Sequence, residues 1–289
     1  MALATLKEIL DPAFSERYGV AAINVVDDLS LEAVIGAAAD LESPLIIQTS
    51  LKTVKSIGAP VLYELFRARA DAVHVPIALH LDHCPDREWI STCMRTGWSS
   101  VLFDGSALDV EDNRRQTAEV VAEAAELGCQ VEGEIESVLG VEDDVGTDEE
   151  GRVHPIDVSD RFIADTGVYC FAPAIGTAHG LYAHSPHLMP ERVTELVQRQ
   201  PVPMVLHGGT GLAQEQFEDL ISRGCAKVNI STALKIAYLD AARDFIAENP
   251  NKKDPPSFFR AISAAVREMA EHHMQMFGSA GKAAAVHAR

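Results

Sequence analysis

The chain has 289 residues, of which 47% are hydrophobic and only 6% aromatic, enough apolar content for a large core. Lysine and arginine total 24 against 43 aspartate and glutamate, a formal charge of −19. So acidic a surface repels a phosphate backbone and excludes nucleic acid as a partner. An anionic substrate has to be held by local donors and a metal rather than by the overall field.

The five cysteines, Cys84, Cys93, Cys129, Cys170 and Cys225, form neither a CxxC pair nor a regular framework. Their odd number and apolar surroundings predict reduced thiols in a cytoplasmic protein. The start, MALATLKEILDPAF, has no uninterrupted apolar stretch of signal-peptide type, and no run approaches the ~18 apolar residues of a membrane span.

In chain order, short runs rich in Val, Ile and Leu recur at 20–25, 44–48, 75–81, 99–103, 129–135, 168–171, 202–206 and 226–230. They lack strict alternation, as strands covered on both faces do. Helical spacing fills the intervals. It predicts helices over 29–41, with Ser30 as N-cap, over 110–127, over 190–198 and over 214–223 closing at Gly224. Eight strands alternating with helices predict an α/β fold, a (β/α)8 TIM barrel forming a single domain over 1–289. The acidic, glycine-punctuated segment at about 138–156 reads as a mobile functional loop. A helical C-terminal extension, about 233–289 and including 261–277, is expected to cover the barrel or reach a neighbouring subunit.

The C-terminal ends of such strands converge on one face, where barrel chemistry sits. The residues there are polar throughout: Asn24, Ser50, Asp82 with His83, Asp104, Glu132 with Glu134, His179, His207, and Asn229 with Ser231 and Thr232. His83, His179 and His207 each end an apolar run. Three neutral imidazoles suit zinc and leave one or two positions open for substrate oxygens. Asp104 and Glu134 are expected either to orient these ligands or to form an alternative carboxylate site for the ion. Asp82, next to a ligand, is a general acid or base if the backbone turns there; its bland alternative is a structural cap. His80 reads equally well as a packed interior residue. His74, His154, His184, His187, His272, His273 and His287 read as surface or structural. The turns Gly208-Gly209-Thr210-Gly211 and Asn229-Ile230-Ser231-Thr232 cluster backbone N–H groups and hydroxyls, as phosphate-binding nests do.

The ordered motifs LHLDHC (79–84), LFDGS (102–106), VEGEIE (131–136), GVEDD (140–144), AIGTAHGLY (174–182), LHGGTGL (206–212), KVNIST (227–232) and FGSAGKA (277–283) run nearly the whole chain. In them the sequence resembles the zinc-dependent class II aldolases of fructose and tagatose 1,6-bisphosphate. The resemblance implies zinc on His83, His179 and His207, binding the oxygens of dihydroxyacetone phosphate and stabilising its enediolate. It implies that Asp82 exchanges the proton of the C4 hydroxyl, and that Glu142 moves a proton at the ketone carbon as the acidic loop closes. Gly180, Gly208, Gly209, Thr210, Asn229, Ser231 and Thr232 would hold the donor phosphate, with Asn24 and Ser50 also in the substrate site. A sodium or potassium ion near that phosphate and a homodimer or homotetramer follow from the same resemblance.

Two departures bear on the distal phosphate. Ala183 stands where fructose-selective members often have lysine, and Ser263, flanked by Arg260 and Arg267, stands where many carry an arginine. The expected reaction is reversible cleavage of a ketose 1,6-bisphosphate to dihydroxyacetone phosphate and an aldehyde such as glyceraldehyde 3-phosphate. The alternatives are an aldolase for a ketose 1-phosphate, a zinc-dependent hydrolase on the same barrel, and a sugar-phosphate-binding protein without catalysis.

Overall fold

The structure, a computed structural model, describes residues 3–136, 140–142, 145–147, 153–180 and 186–287. Its strands are β1 (Val20–Asn24), β2 (Leu45–Ser50), β3 (Ile77–Cys84), β4 (Ser100–Phe103), β5 (Gln130–Glu134), β6 (Gly140–Glu142), β7 (Val145–Thr147), β8 (Cys170–Ala172), β9 (Met204–Leu206) and β10 (Cys225–Ile230). Eight of them close a parallel barrel in the order β1-β10-β9-β8-β5-β4-β3-β2. This is the (β/α)8 barrel that the alternation of apolar runs and helical spacing predicts. The helices are α1 (Leu6–Glu16), α2 (Asp28–Asp40), α3 (Leu51–Ile57), α4 (Ala59–Ala70), α5 (Arg87–Thr96), α6 (Val110–Glu126), α7 (Ile156–Thr166), α8 (Pro190–Arg199), α9 (Gln214–Arg223), α10 (Thr232–Glu248), α11 (Pro255–Met276) and α12 (Ala283–His287).

Three details depart from the expectation. Ser30 is not the N-cap of α2. Asp27 is, accepting the Ser30 N–H at 2.8 Å, while the Ser30 hydroxyl accepts from Asp27 N at 3.1 Å, a reciprocal box. The third strand continues past Leu81 to Cys84, because the barrel mouth offers the polar side chains of Asp82 and His83 partners that an apolar-run criterion does not foresee. Within the segment read as a loop, β6 and β7 pair antiparallel, with Glu142 opposite Val145.

Nothing in the apolar pattern predicts α1, yet it closes the lower end of the barrel. Thr5 and Glu8 form its capping box, and Leu6, Ile9, Leu10 and Ala13 bury their side chains against Val20, Ala22, Ile46, Ala78, Val205 and Ala226. Each large apolar side chain so buried contributes ~1.5–3 kcal/mol. α1 thus covers the N-terminal strand ends, and the polar strand-end residues lie at the opposite, C-terminal rim. At the other end of the chain α11 packs along α2 and α10 along α11, burying Ile262, Val266, Ala270 and Met274 in the outer core. α11 starts six residues before the expected 261, because Asp254 caps it and prolines suit a first helical turn.

Candidate active site

At the rim three imidazoles converge from β3 and the segments after β8 and β9. Ring centroids lie 4.8 Å apart for His83 and His207, 5.3 Å for His83 and His179, and 6.3 Å for His179 and His207. Ring nitrogens of the three come within 4.8 Å of one another. Bonds of about 2.1 Å to one ion span such a gap after small side-chain rotations. The approach of His179 to His207 depends on Gly208, whose φ is +65° and where a Cβ would lie 2.5 Å from the Ala178 carbonyl oxygen.

The outer nitrogens of two of these rings are held by carboxylates. His83 donates Nδ1–H to Asp104 at 2.9 Å, and His207 donates Nε2–H to Glu132 at 2.7 Å. Asp104 is itself fixed by Ser106, accepting from its N–H at 3.1 Å and its hydroxyl at 2.6 Å. His83 Nε2 and His207 Nδ1 are then left buried with no hydrogen-bond partner among the described residues. Two orphaned, carboxylate-oriented ring nitrogens facing a third imidazole are the donor set of a zinc-type site.

Glu134 lies between them, its oxygens 3.4 Å from His83 Nδ1 and 3.8 Å from His207 Nδ1, and with Asp104 and His83 it makes a second group of ligand atoms within the same 4.8 Å limit. Burial, and the neighbouring Asp104, Glu132 and Asp82, push the Glu134 carboxyl well above the usual carboxylate range despite His83. Burial alone would depress His83, but Asp82, Glu134 and Asp104 raise it well above an ordinary imidazole. That excess of carboxylate favours a cation at the cluster, and a divalent ion displaces the His83 proton while answering the same negative charge. The residues present therefore fit a divalent metal.

Asp82 is 6% exposed and accepts from Asn24 Nδ2 at 2.9 Å and Asn229 Nδ2 at 3.3 Å. Burial raises its carboxyl, but His83, Lys227 and His207 more than offset this and hold it below the ordinary range. It is thus an ionised acceptor against the histidine cluster, the condition a general base needs. His83 adopts φ +38° and the register of β3 on β4 shifts between Leu81 and Cys84, which is the backbone turn that brings Asp82 and His83 to the same side.

Around the rim, Gly208, Gly209 and Thr210 form the turn after β9, Gly180 follows His179 with φ +85°, and Ser231 and Thr232 open α10. The Ser231 hydroxyl is buried, has no partner among the described residues, and does not cap its helix. An orphaned hydroxyl at the N-terminus of a long helix suits an anion. Three expected substrate contacts are otherwise engaged. Asn24 and Asn229 face Asp82, and Ser50 caps α3 by accepting the Thr53 N–H at 3.3 Å. Glu142 pairs through its backbone in β6, and its side chain lies outside the described residues, as does Ala183. Arg267 is spent on Asp40, Glu271 and the Gly36 carbonyl, and Arg260 is exposed beside Ser257.

Three residues that the rim criterion does not pick out, Gln48, His80 and Lys227, join Glu132 in a layer below the rim, all four 0% exposed. Gln48 donates to Asn24 Oδ1 at 2.6 Å, and Lys227 Nζ meets Glu132 Oε2 at 2.8 Å and Asn229 Oδ1 at 2.7 Å. Burial pushes the Glu132 carboxyl up, but Lys227 and His207 hold it well below its ordinary range. Each of the four stands two residues before a rim residue on its own strand, so strand periodicity was the signal that points to them.

Comparison with known proteins narrows this chemistry. Residues 4–282 match the family described as fructose-bisphosphate aldolase class-II, and the chain belongs to that family. It is accordingly a metal-dependent aldehyde-lyase, which sets aside the hydrolase and the non-catalytic reading. It is 32% identical over 284 residues to a sulfofructosephosphate aldolase of Alkalicoccus urumqiensis, covering 98% of this chain and 99% of the relative. The crystal structure of the YdjI aldolase from Escherichia coli K12 is similar at a TM-score of 0.85 and 31% identity, over 97% of this chain and 99% of the other. The fructose-bisphosphate aldolase of Campylobacter jejuni, at 23% identity and a TM-score of 0.82 over 97% of each chain, shares the fold. No described helix is long and apolar enough to cross a membrane.

Proposed function

We propose that the protein reversibly cleaves a ketose 1,6-bisphosphate of fructose or tagatose type to dihydroxyacetone phosphate and an aldehyde, as in glycolytic carbohydrate metabolism. The observation that carries this reading is the convergence of His83, His179 and His207 beside the ionised Asp82. A zinc ion held by those three histidines, with Asp104, Glu132 and Glu134 behind them, would supply Lewis acidity at the donor carbonyl. Asp82 takes the proton of the substrate hydroxyl as the carbon–carbon bond breaks and returns it in condensation; Asn24 and Asn229 keep its carboxylate aimed. Glu142 handles the proton at the donor carbon. Gly180, Gly208, Gly209, Thr210, Ser231 and Thr232 surround the donor phosphate with N–H groups and hydroxyls, and a sodium or potassium ion beside it would offset the acidic surface.

A second reading, a ketose with the donor phosphate but no distal one, is favoured by Ser263 and by the commitment of Arg267 to Asp40 and Glu271. The relative named for a sulfofructose phosphate points the same way. Incubating the zinc-loaded protein with fructose 1,6-bisphosphate, tagatose 1,6-bisphosphate and fructose 1-phosphate tests both readings. Dihydroxyacetone phosphate from a bisphosphate supports the first; release from the monophosphate alone supports the second; none from any ketose phosphate sinks both.

The protein is read as one barrel domain with 233–289 as its helical extension, working in the cytoplasm as a homodimer or homotetramer. Five buried, unpaired thiols support a reducing compartment. Ile236, Leu239 and Ile246, exposed on one face of α10, support self-association.

A further inference from the structure

Lys227 lies wholly inside the barrel between two acceptors, Glu132 Oε2 at 2.8 Å and Asn229 Oδ1 at 2.7 Å. A buried ion pair is a weak source of stability, since an apolar pair of like volume avoids the desolvation of both charges. What an apolar pair lacks is direction. The amine of Lys227 has only donors to offer here, so Asn229 must turn its oxygen towards it. The amide nitrogen is then committed to Asp82 Oδ1, 3.3 Å away. The same holds on the other side. With one oxygen on Lys227, Glu132 presents its second to His207 Nε2 at 2.7 Å, so the proton of that imidazole sits on Nε2 and the lone pair on Nδ1. Nδ1 is the nitrogen left buried without a partner beside His83 and His179.

We infer that Lys227 is a positioning residue for the reaction, setting through Glu132 the tautomer with which His207 meets a metal and through Asn229 the donor that Asp82 receives. One side chain, touching neither substrate nor metal, orients a group on each side of the reacting centre. The effect on cleavage rests on the aldolase reading above; the effect on His207 rests on geometry alone.

The test uses Lys227→Met, which keeps the volume and removes the donor, and Lys227→Met/Glu132→Gln, which leaves no unpaired carboxylate to burden the fold. Zinc affinity, measured by competition with a chromophoric chelator, should fall about 10–100-fold in both. Cleavage should lose about 10² in kcat with KM within twofold, as for a misplaced reacting group. In an Asn229→Ala background, Lys227→Met should cost cleavage far less than it does alone. Imidazole nitrogen NMR of the zinc-loaded wild-type protein should find His207 protonated at Nε2. That measurement decides the His207 arm even where a variant fails to fold.

A folded double variant with wild-type zinc affinity and wild-type kcat overturns the inference, as does a His207 protonated at Nδ1. Additive losses in the Asn229 cycle overturn the Asp82 arm. If the wild-type protein yields no dihydroxyacetone phosphate, the aldolase reading fails while the zinc and NMR arms still judge Lys227.

Discussion

Asp82 and His83 are consecutive on β3, yet both side chains point into the barrel mouth, Asp82 onto Asn24 and Asn229 and His83 onto Asp104 and Glu134. In a regular strand neighbours face opposite sides. The exception is made by the left-handed φ of +38° at His83 and the register slip against β4. A non-glycine residue held there costs on the order of 1–3 kcal/mol. The hydrogen bonds gained by both side chains, each worth about 1 kcal/mol or more next to a charge, offset it. The bulge sets a proposed base and a proposed ligand side by side, so substrate oxygens held at the histidines lie within reach of the carboxylate.

Removing the metal should abolish turnover. Prolonged chelation of the purified enzyme, followed by zinc or cobalt, should give loss and then recovery of ketose phosphate cleavage. Borohydride should trap no adduct, because no lysine forms a Schiff base in this scheme. Full turnover after verified metal removal, or a lysine-linked product, would contradict the proposed chemistry.

His179→Ala and His207→Ala should each lose bound zinc along with activity, since two imidazoles hold the ion poorly. Asp104→Asn should be milder, lowering zinc affinity about 10–100-fold by weakening the acceptor behind His83. Elemental analysis finding one zinc per chain in both alanine variants would move the ligands elsewhere.

Asp82→Ala should keep zinc and bind dihydroxyacetone phosphate while losing about 10²–10⁴ in the rate of carbon–carbon cleavage. Stopped-time product assays measure this directly. Cleavage at the wild-type rate would remove Asp82 from the mechanism.

Much of this arrangement was legible in the sequence because each strand ends where an apolar run meets a polar residue. Asn24, Asp82, Asp104, Glu134 and His207 fall at such junctions, and the structure brings them to one rim. What lies one layer down was only partly legible by that criterion: Glu132 shares a strand end with Glu134, but Gln48 and Lys227 do not stand out as strand-end residues. The bulge at His83 has no local signature either, since neither glycine nor proline marks it. Its stability comes from partners on other strands. Ser50 and Ser30 show the converse limit, for a hydroxyl at an element boundary serves a cap as readily as a site, and only the bond it makes tells which.

His80 offers a test of the buried layer by pH. Burial, and then Lys227, lower its imidazole from 6.5 to about 3, so it stays neutral in the folded protein. The unfolded chain binds a proton near the ordinary value, so between 6.5 and 3 it holds more protons than the folded state. Stability present at neutral pH is therefore lost as pH falls through that window, by about 1 kcal/mol per unit from this residue. His80→Gln, able to keep a bond to Ser100, should flatten the decline between pH 6 and 4 by about that slope. Denaturant titrations of the two proteins at several pH values measure it; parallel curves would mean that His80 is not neutral in the fold.

The two halves of the proposed reaction should separate at Glu142 and Asp82. Glu142 stands in β6, on a hairpin apart from the barrel sheet, whereas Asp82 is fixed inside the barrel by two amides. In the proposed reaction Glu142 serves the donor carbon and Asp82 the hydroxyl proton, so the two roles separate by step. Exchange of a dihydroxyacetone phosphate proton with solvent needs no aldehyde and isolates the donor half. Glu142→Ala should suppress that exchange by about 10²-fold or more. Asp82→Ala should largely retain it, because the proton Asp82 handles belongs to the aldehyde half. Proton NMR in deuterated buffer follows both variants on the same substrate. Exchange in Glu142→Ala at the wild-type rate would transfer the role to another carboxylate, and Glu134, buried, raised well above its ordinary range and 3.4 Å from His83, is the next to replace.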